Sequence, residues 1–584
     1  YKLQAIEAKD FAAISENTLK DLDASQIGKL TAAQVAALTP AQFKSLTTEQ
    51  ISNLNSDQIQ GLTPANLSSL STSQAVALGT TGVSALTAKQ ITALTGNVIK
   101  SLDTNQLAKL NTSQVQALTA QQVSALTTTQ LNSLAPEQIR AIDVTDIAGL
   151  SVNTLKSISN ISDLTAAQLG RLSALQLKSF STAQISSLTS NQVQNLSAKN
   201  LAALSSTQIN AISSSALSGL TAAQVKDLSV STLTSLSTQQ LSGLTSTQTQ
   251  ALTASQVRAL STTQLNSLQE SQIQGIDASD IAGLAATTIK ALSSEQIGKL
   301  SSSQVAALSV AQFKALSTDQ FSALSSTQVQ GLTTAQVASL SSTQAAALTS
   351  TQLSGLTTQQ VQALSNDALI NLSTAELGGL NTAQLQALTP TQVKQLSASQ
   401  LNQLTDVQLQ GLDATDLTTL TTSTVSNLST TKISQLTTQQ INALTSAQVS
   451  ALSTTQLNNL SSSQVQSLSS GSVSALSTAQ ANVLFNTSAS AFSGEQLNAL
   501  STGVVSALNS TQLSSLSQSQ IGTLSTTQVA ALTSTQVTQL DAGKIGVLST
   551  AQIKALRPAG VGGFNDAQIA SLSLSQIQSL TTAQ

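Results

Sequence analysis

Leu30-Thr31-Ala32-Ala33-Gln34-Val35-Ala36-Ala37-Leu38 holds one complete period of the chain, and that period decides the fold. From Ile6 through positions 14, 22, 30 and 38 to 580, every eighth residue is Leu, or occasionally Ile or Phe. One unit is short, with six residues at 159–164. Octad positions are counted here from the residue after each leucine, so leucine closes the octad as position 8. A continuous helix is excluded, because eight residues at about 100° each make the leucine stripe drift about 80° per octad. A strand is excluded because positions 5 and 8 fall on opposite faces of a period-two ribbon.

One very short helix per octad satisfies the pattern. Position 1 is nearly always Ser, Thr, Asp, Asn or Gly, the favoured N-cap residues, as at Thr31. Position 4 is most often Gln, as at Gln34, which completes an S/T-x-x-Q capping box. The leucine before the cap and the Val or Ile at position 5, such as Val35, form a hydrophobic staple, and Leu38 starts the next one. Pro40, Pro64, Pro136, Pro390 and Pro558 all stand at position 2, the first helical residue, where a missing N–H costs nothing. Of the 26 glycines, 18 stand at positions 6 or 7, where they end the helix or admit a neighbouring backbone. Helices this short are marginal alone, so octads must stack. The sequence predicts an all-α fold: an α-solenoid, or superhelix, of very short helices over a single continuous array, 1–584. The period leaves the number of helices per turn open.

Composition narrows the function. Charged residues are 8% of the chain against about 25% in ordinary domains, and the net charge is −3. The surface is therefore expected to be Ser, Thr, Gln and Asn, which does little to prevent self-association. Lys and Arg are scattered, with no basic stripe for nucleic acid. Apolar runs are far shorter than the ~20 residues of a membrane-spanning helix, and no secretory signal stands at Tyr1. Cys, His, Met and Trp are absent. The common catalytic triads and zinc or haem ligand sets are then unavailable, so neither an enzyme nor a cofactor is expected. The chain starts and stops inside an octad, which suits a piece of a longer polypeptide or a protomer covered by its neighbours.

The sharpest departure from the octad is a pair of acids at positions 1 and 4: Asp143/Asp146, Asp277/Asp280 and Asp413/Asp416, with Glu7/Asp10 as a variant. Their near-constant spacing indicates a longer repeat of seventeen octads. Two acids at one helix end are candidates for a cation such as Ca²⁺ or for a basic partner. The plainer reading is an N-cap Asp with a second acid favoured by the helix dipole. No glycine-bearing loop supplies the six to eight oxygens that calcium takes. Two octads lose the grammar, 485–492 (Phe485 to Phe492) and 557–564 (Arg557 to Phe564). Each is a candidate bend, subunit contact or ligand site, or a defect tolerated by a redundant array. The six-residue unit 159–164 is expected to bend the superhelix or reset its phase.

The strings Leu332-Thr333-Thr334-Ala335-Gln336-Val337 and Leu524-Ser525-Thr526-Thr527-Gln528-Val529 resemble octapeptide arrays of large secreted bacterial surface proteins, of the adhesin, surface-layer or filament type. The resemblance implies a location outside the cell or at its surface. It assigns no role to any single residue. With the neutral polar surface, it predicts a structural protein whose solenoids associate with copies of themselves into a fibre, sheath or surface layer. The alternative is an adhesin stalk or a repetitive binding module, for a cell-surface glycan or for ice, that presents a separate tip.

Overall fold

The computed structural model describes residues 2–159 and 161–584. Among the described residues there are 69 α-helices, nearly all of four to six residues, three 3₁₀ helices and no strand. They form two compact units, Tyr1–Leu284 and Ala285–Gln584. Each unit is an α-solenoid.

The octad 31–38 shows why the chain folds this way. Thr31 is extended (φ −76°, ψ 157°), and its hydroxyl accepts the Gln34 N–H at 3.2 Å. The Gln34 Oε1 accepts the Thr31 N–H at 3.0 Å, and the helix Ala32–Ala36 follows. Two of the donors orphaned at a helix N-terminus are thereby satisfied within four residues. Pro40, Pro64, Pro136, Pro390 and Pro558 each occupy the first turn of their helix. The helix closes with a tight bond from the Leu38 N–H to the Val35 carbonyl. In many octads position 8 then turns extended, as at Leu46 (φ −59°, ψ 139°), and swings the chain into the next cap.

Glycine does not end these helices by adopting the left-handed conformation. Among the described residues the only positive φ is at Gly79 (64°). There glycine stands at position 1, separated only by Leu78 from a helix that ends at Ala77, and lets the next helix Gly79–Ala85 begin at once. Glycines at position 7 serve close approach. A Cβ on Gly379 would lie 2.6 Å from the Ser350 carbonyl oxygen and 2.7 Å from the Ser350 Cα. Gly379→Val is therefore expected to push two turns apart and to lower stability by about 1–3 kcal/mol. Chemical denaturation of the variant beside the unaltered chain checks it.

In both units helices pack mainly on the third helix before and the third after, and position-4 side chains bond residues 28–31 places earlier, so between three and four octads make one turn. In the first unit Ala32–Ala36 packs on Ser56–Gln60, and in the second Ser350–Ser354 packs on Thr374–Leu377. Positions 5 and 8 line the core, as Val35 (0% exposed) and Leu38 (3%) do.

Candidate functional site

Position 4 is where the chain departs from a simple capping scheme. Its glutamines are buried rather than on the surface as the composition suggests; Gln58 is 1% exposed. The reason is a second set of bonds. The Gln58 Oε1 accepts the Asn55 N–H at 2.9 Å, closing its own capping box. Its Nε2 donates to the carbonyls of Ile27 at 2.9 Å and Leu30 at 2.7 Å, one turn earlier. One amide thus caps the start of its own helix and stitches it to the end of a helix in the preceding turn. The second unit repeats this, with Gln384 Nε2 donating to Leu353, Ser354 and Leu356.

Substitutions at position 4 show which half of the job matters more. Lys432 and Lys544 cannot accept the cap N–H, yet both are buried and donate to carbonyls of the preceding turn, Leu404 and Ser514 (2.8 Å) respectively. Their charges are met by Asp406 at 3.7 Å and Asp541 at 2.8 Å. Asn66 and Asn200, one methylene shorter, still reach a single carbonyl, Leu38 at 2.8 Å and Leu172 at 3.1 Å. The stitch has a signal in the sequence. Glutamate serves a capping box as well as glutamine does and is favoured by the helix dipole. Glutamate nonetheless stands at position 4 only at Glu376. The slot favours the N–H of an amide, although Val98, Ala216, Ala368 and Val504 fill it buried and with no donor.

The irregular units are absorbed by the same network. The short unit keeps one place in the array as the 3₁₀ helix Ile161–Asp163; Asn160 lies outside the described residues. Stitches that span it shorten by two residues, as from Gln184 to Ile158, and Gln192 beyond it bonds Leu164 at the usual spacing. The stitching phase is therefore not reset. In 485–492, Phe485 takes the cap position and cannot cap. The helix Thr478–Ser488 runs on for 11 residues, through Leu484, where the chain otherwise hinges. Phe485 stacks on Phe492, with ring centroids 4.6 Å apart and planes at 6°. The Asn486 Oδ1 then accepts from Gln512 Nε2 at 2.9 Å, where a position-8 carbonyl would ordinarily do so. In 557–564, Arg557 makes no side-chain cap. Gly560 replaces glutamine there, and a Cβ on it would lie 3.0 Å from the Val537 Cβ.

The acid pairs divide into unlike members. Asp143 accepts the Thr145 N–H at 2.8 Å and the Thr145 hydroxyl, and these bonds hold its carboxyl below the ordinary value. Asp413 does the same with Thr415, whose octad winds as the 3₁₀ helix Asp416–Thr419. Asp277 makes no side-chain cap. Asp146, Asp280 and Asp416, at position 4, have raised carboxyls, first because of burial and then because of the acid at position 1. Arg258 partly offsets this for Asp280. Among the described residues no three His, Cys, Asp or Glu side chains converge to hold a metal. No helix among them is long and apolar enough to cross a membrane. The site that recurs along the chain is therefore the buried amide slot rather than a pocket for a cofactor.

Seven segments match the ALTTAQ repeat, at residues 3–40, 36–64, 99–136, 273–310, 305–334, 425–454 and 545–582, together less than half of the chain. No curated protein sequence matches it. Among solved structures, the leucine-rich repeat protein LegL7 from Legionella pneumophila aligns at 10% identity over 37% of this chain and 86% of its own, with a TM-score of 0.12. The karyopherin Kap121p, bound to the extreme C-terminus of the phosphatase Cdc14p, aligns at 11% identity over 97% and 67%, with a TM-score of 0.14. APUM23 with GGAAUUGACGG aligns at 13% identity over 88% and 91%, also with a TM-score of 0.14. Scores this low carry no argument about this chain. The chain is an all-α repeat array that carries ALTTAQ repeats at seven places.

Proposed function

We propose that the protein is a structural scaffold, acting outside the cell or at its surface, whose solenoids associate with copies of themselves into a fibre, sheath or layer. The observation that supports this most is the use made of the polar residues. Cap hydroxyls and position-4 amides are committed to internal bonds, octad after octad, as at Thr31, Gln34 and Gln58. What faces water at positions 2, 3 and 6 is mainly Ser, Thr, Ala, Gln and Asn, with 8% charge in the whole chain. A near-neutral surface rich in donors and acceptors, repeated at a fixed interval, favours lateral association between like arrays and offers little repulsion against it. The same commitment weakens an ice-binding reading, because the regular position-1 hydroxyls point into helix N-termini. No catalytic role is proposed. Negative-stain microscopy and light scattering of the purified chain are expected to show concentration-dependent fibres or sheets. A particle that stays monomeric across a wide range of concentrations overturns the reading.

A further inference from the structure

The stitch demands a donor at position 4, and an ionised aspartate cannot be one. Asn66 shows that a side chain of aspartate's length reaches the position-8 carbonyl 28 residues earlier, where its Nδ2 donates to Leu38 at 2.8 Å. Counted by the same 28 residues, Asp146 corresponds to Leu118 and Asp416 to Leu388. Neighbouring stitches keep that spacing, with Gln138 on Leu110 at 2.7 Å and Gln408 on Leu380 at 2.7 Å. Both aspartates are half-buried.

We propose that Asp146 and Asp416 are acid-closed stitches: a proton taken from solvent gives each carboxyl the O–H that the amide supplies elsewhere, and it donates to the carbonyl of Leu118 or Leu388. At neutral pH each carboxylate instead faces a carbonyl oxygen, and the seam is held by one bond fewer.

The surroundings favour protonation. On its own helix Asp146 meets Asp143, and the helices packed against it, Ala120–Ala125 and Ala166–Gly170, carry no charge. Arg171 follows the latter, Glu137 and Arg140 lie on the preceding helix, and Lys156 lies on the next. Arg140 is paired with Asp163 at 3.8 Å. Asp416 meets Asp413 on its own segment and Lys394 on the packed helix Pro390–Gln395; the packed helix Thr438–Ala443 is uncharged. Asp406 on the preceding helix is paired with Lys432. Burial and the neighbouring acid raise both carboxyls above 3.8, for Asp146 against the opposing pull of a hydrogen bond with the Thr145 side chain. For an acid raised by folding, the stabilisation is complete below the unfolded value and is lost as pH rises through the folded one. These two seams therefore tighten on mild acidification, opposite in sign to Asp143 and Asp413.

The test uses the full chain and the isosteric double variant Asp146→Asn, Asp416→Asn, which carries a permanent donor. Hydrogen exchange, corrected for intrinsic rates, is followed in peptides from 112–150 and 385–420. At pH 7 the variant is expected to be protected roughly fivefold over the unaltered chain, the worth of one net hydrogen bond. Below about pH 4, where an ordinary aspartate gains its proton, that gap closes. A gap that is the same at both pH values, or absent at both, overturns the proposal. A carboxyl titration of labelled aspartate gives an independent reading: Asp146 and Asp416 titrating at or below the ordinary value overturns it even if the exchange data agree.

Discussion

Replacing Gln58 with methionine is expected to open the array locally, by about 2–6 kcal/mol. The side chain is buried and of similar length, so the change removes bonds and little volume. Two groups lose their partner, the Asn55 N–H and the Leu30 carbonyl, while the Ile27 carbonyl keeps the Leu30 N–H at 3.1 Å. Each buried polar group left unsatisfied costs about 1–3 kcal/mol. Because turns contact only their neighbours, the damage stays near octads 23–62 and is read there by hydrogen exchange. Two further variants separate the roles of the amide. Gln58→Lys keeps a donor toward the preceding turn, as Lys544 does, and is expected to recover at least ~1 kcal/mol of the loss. Gln58→Glu keeps only the acceptor, as Glu376 does toward the Ser373 N–H, and is expected to recover less. Equal losses for lysine and methionine would show that the box alone matters.

Phe485→Ala is expected to cost about 3–5 kcal/mol, the range for deleting a buried aromatic side chain. Phe485 is 1% exposed, and its ring lies flat on Phe492. In a redundant array a lost cap alone costs only about 1 kcal/mol. A large loss at this octad therefore separates a packed junction from a tolerated defect. A double-mutant cycle with Phe492→Ala is expected to show a coupling of about 0.5–1.5 kcal/mol from the ring pair. Urea unfolding of the four chains measures it. Additive losses would mean that the rings contribute only their separate burial.

Much of the octad was legible because its determinants are local. A cap at Thr31, an acceptor at Gln34, a proline at position 2 and apolar residues at positions 5 and 8 act within one octad, and their order in the chain is their order in space. The second function of position 4 was not read from the period, although the scarcity of glutamate there signals it. The amide of Gln58 bonds residues 28 and 31 places earlier, and nothing in one octad states which turn lies beneath it. The fate of 485–492 was equally hidden. Losing a cap says that a helix start is weak; it does not say that the preceding helix runs on and that two phenylalanines meet.

The sequence by itself determined that the fold is helical, that each octad holds one short helix, and where it begins, because capping and backbone preference are decided within four or five residues. Only the tertiary structure decided that between three and four octads make a turn, that position-4 glutamines are buried stitches, and that Asp146 and Asp416 occupy slots that elsewhere hold a donor. Those properties depend on which carbonyl lies one turn away. That distance is set by how Leu, Val and small residues of different octads pack together, which no local preference specifies.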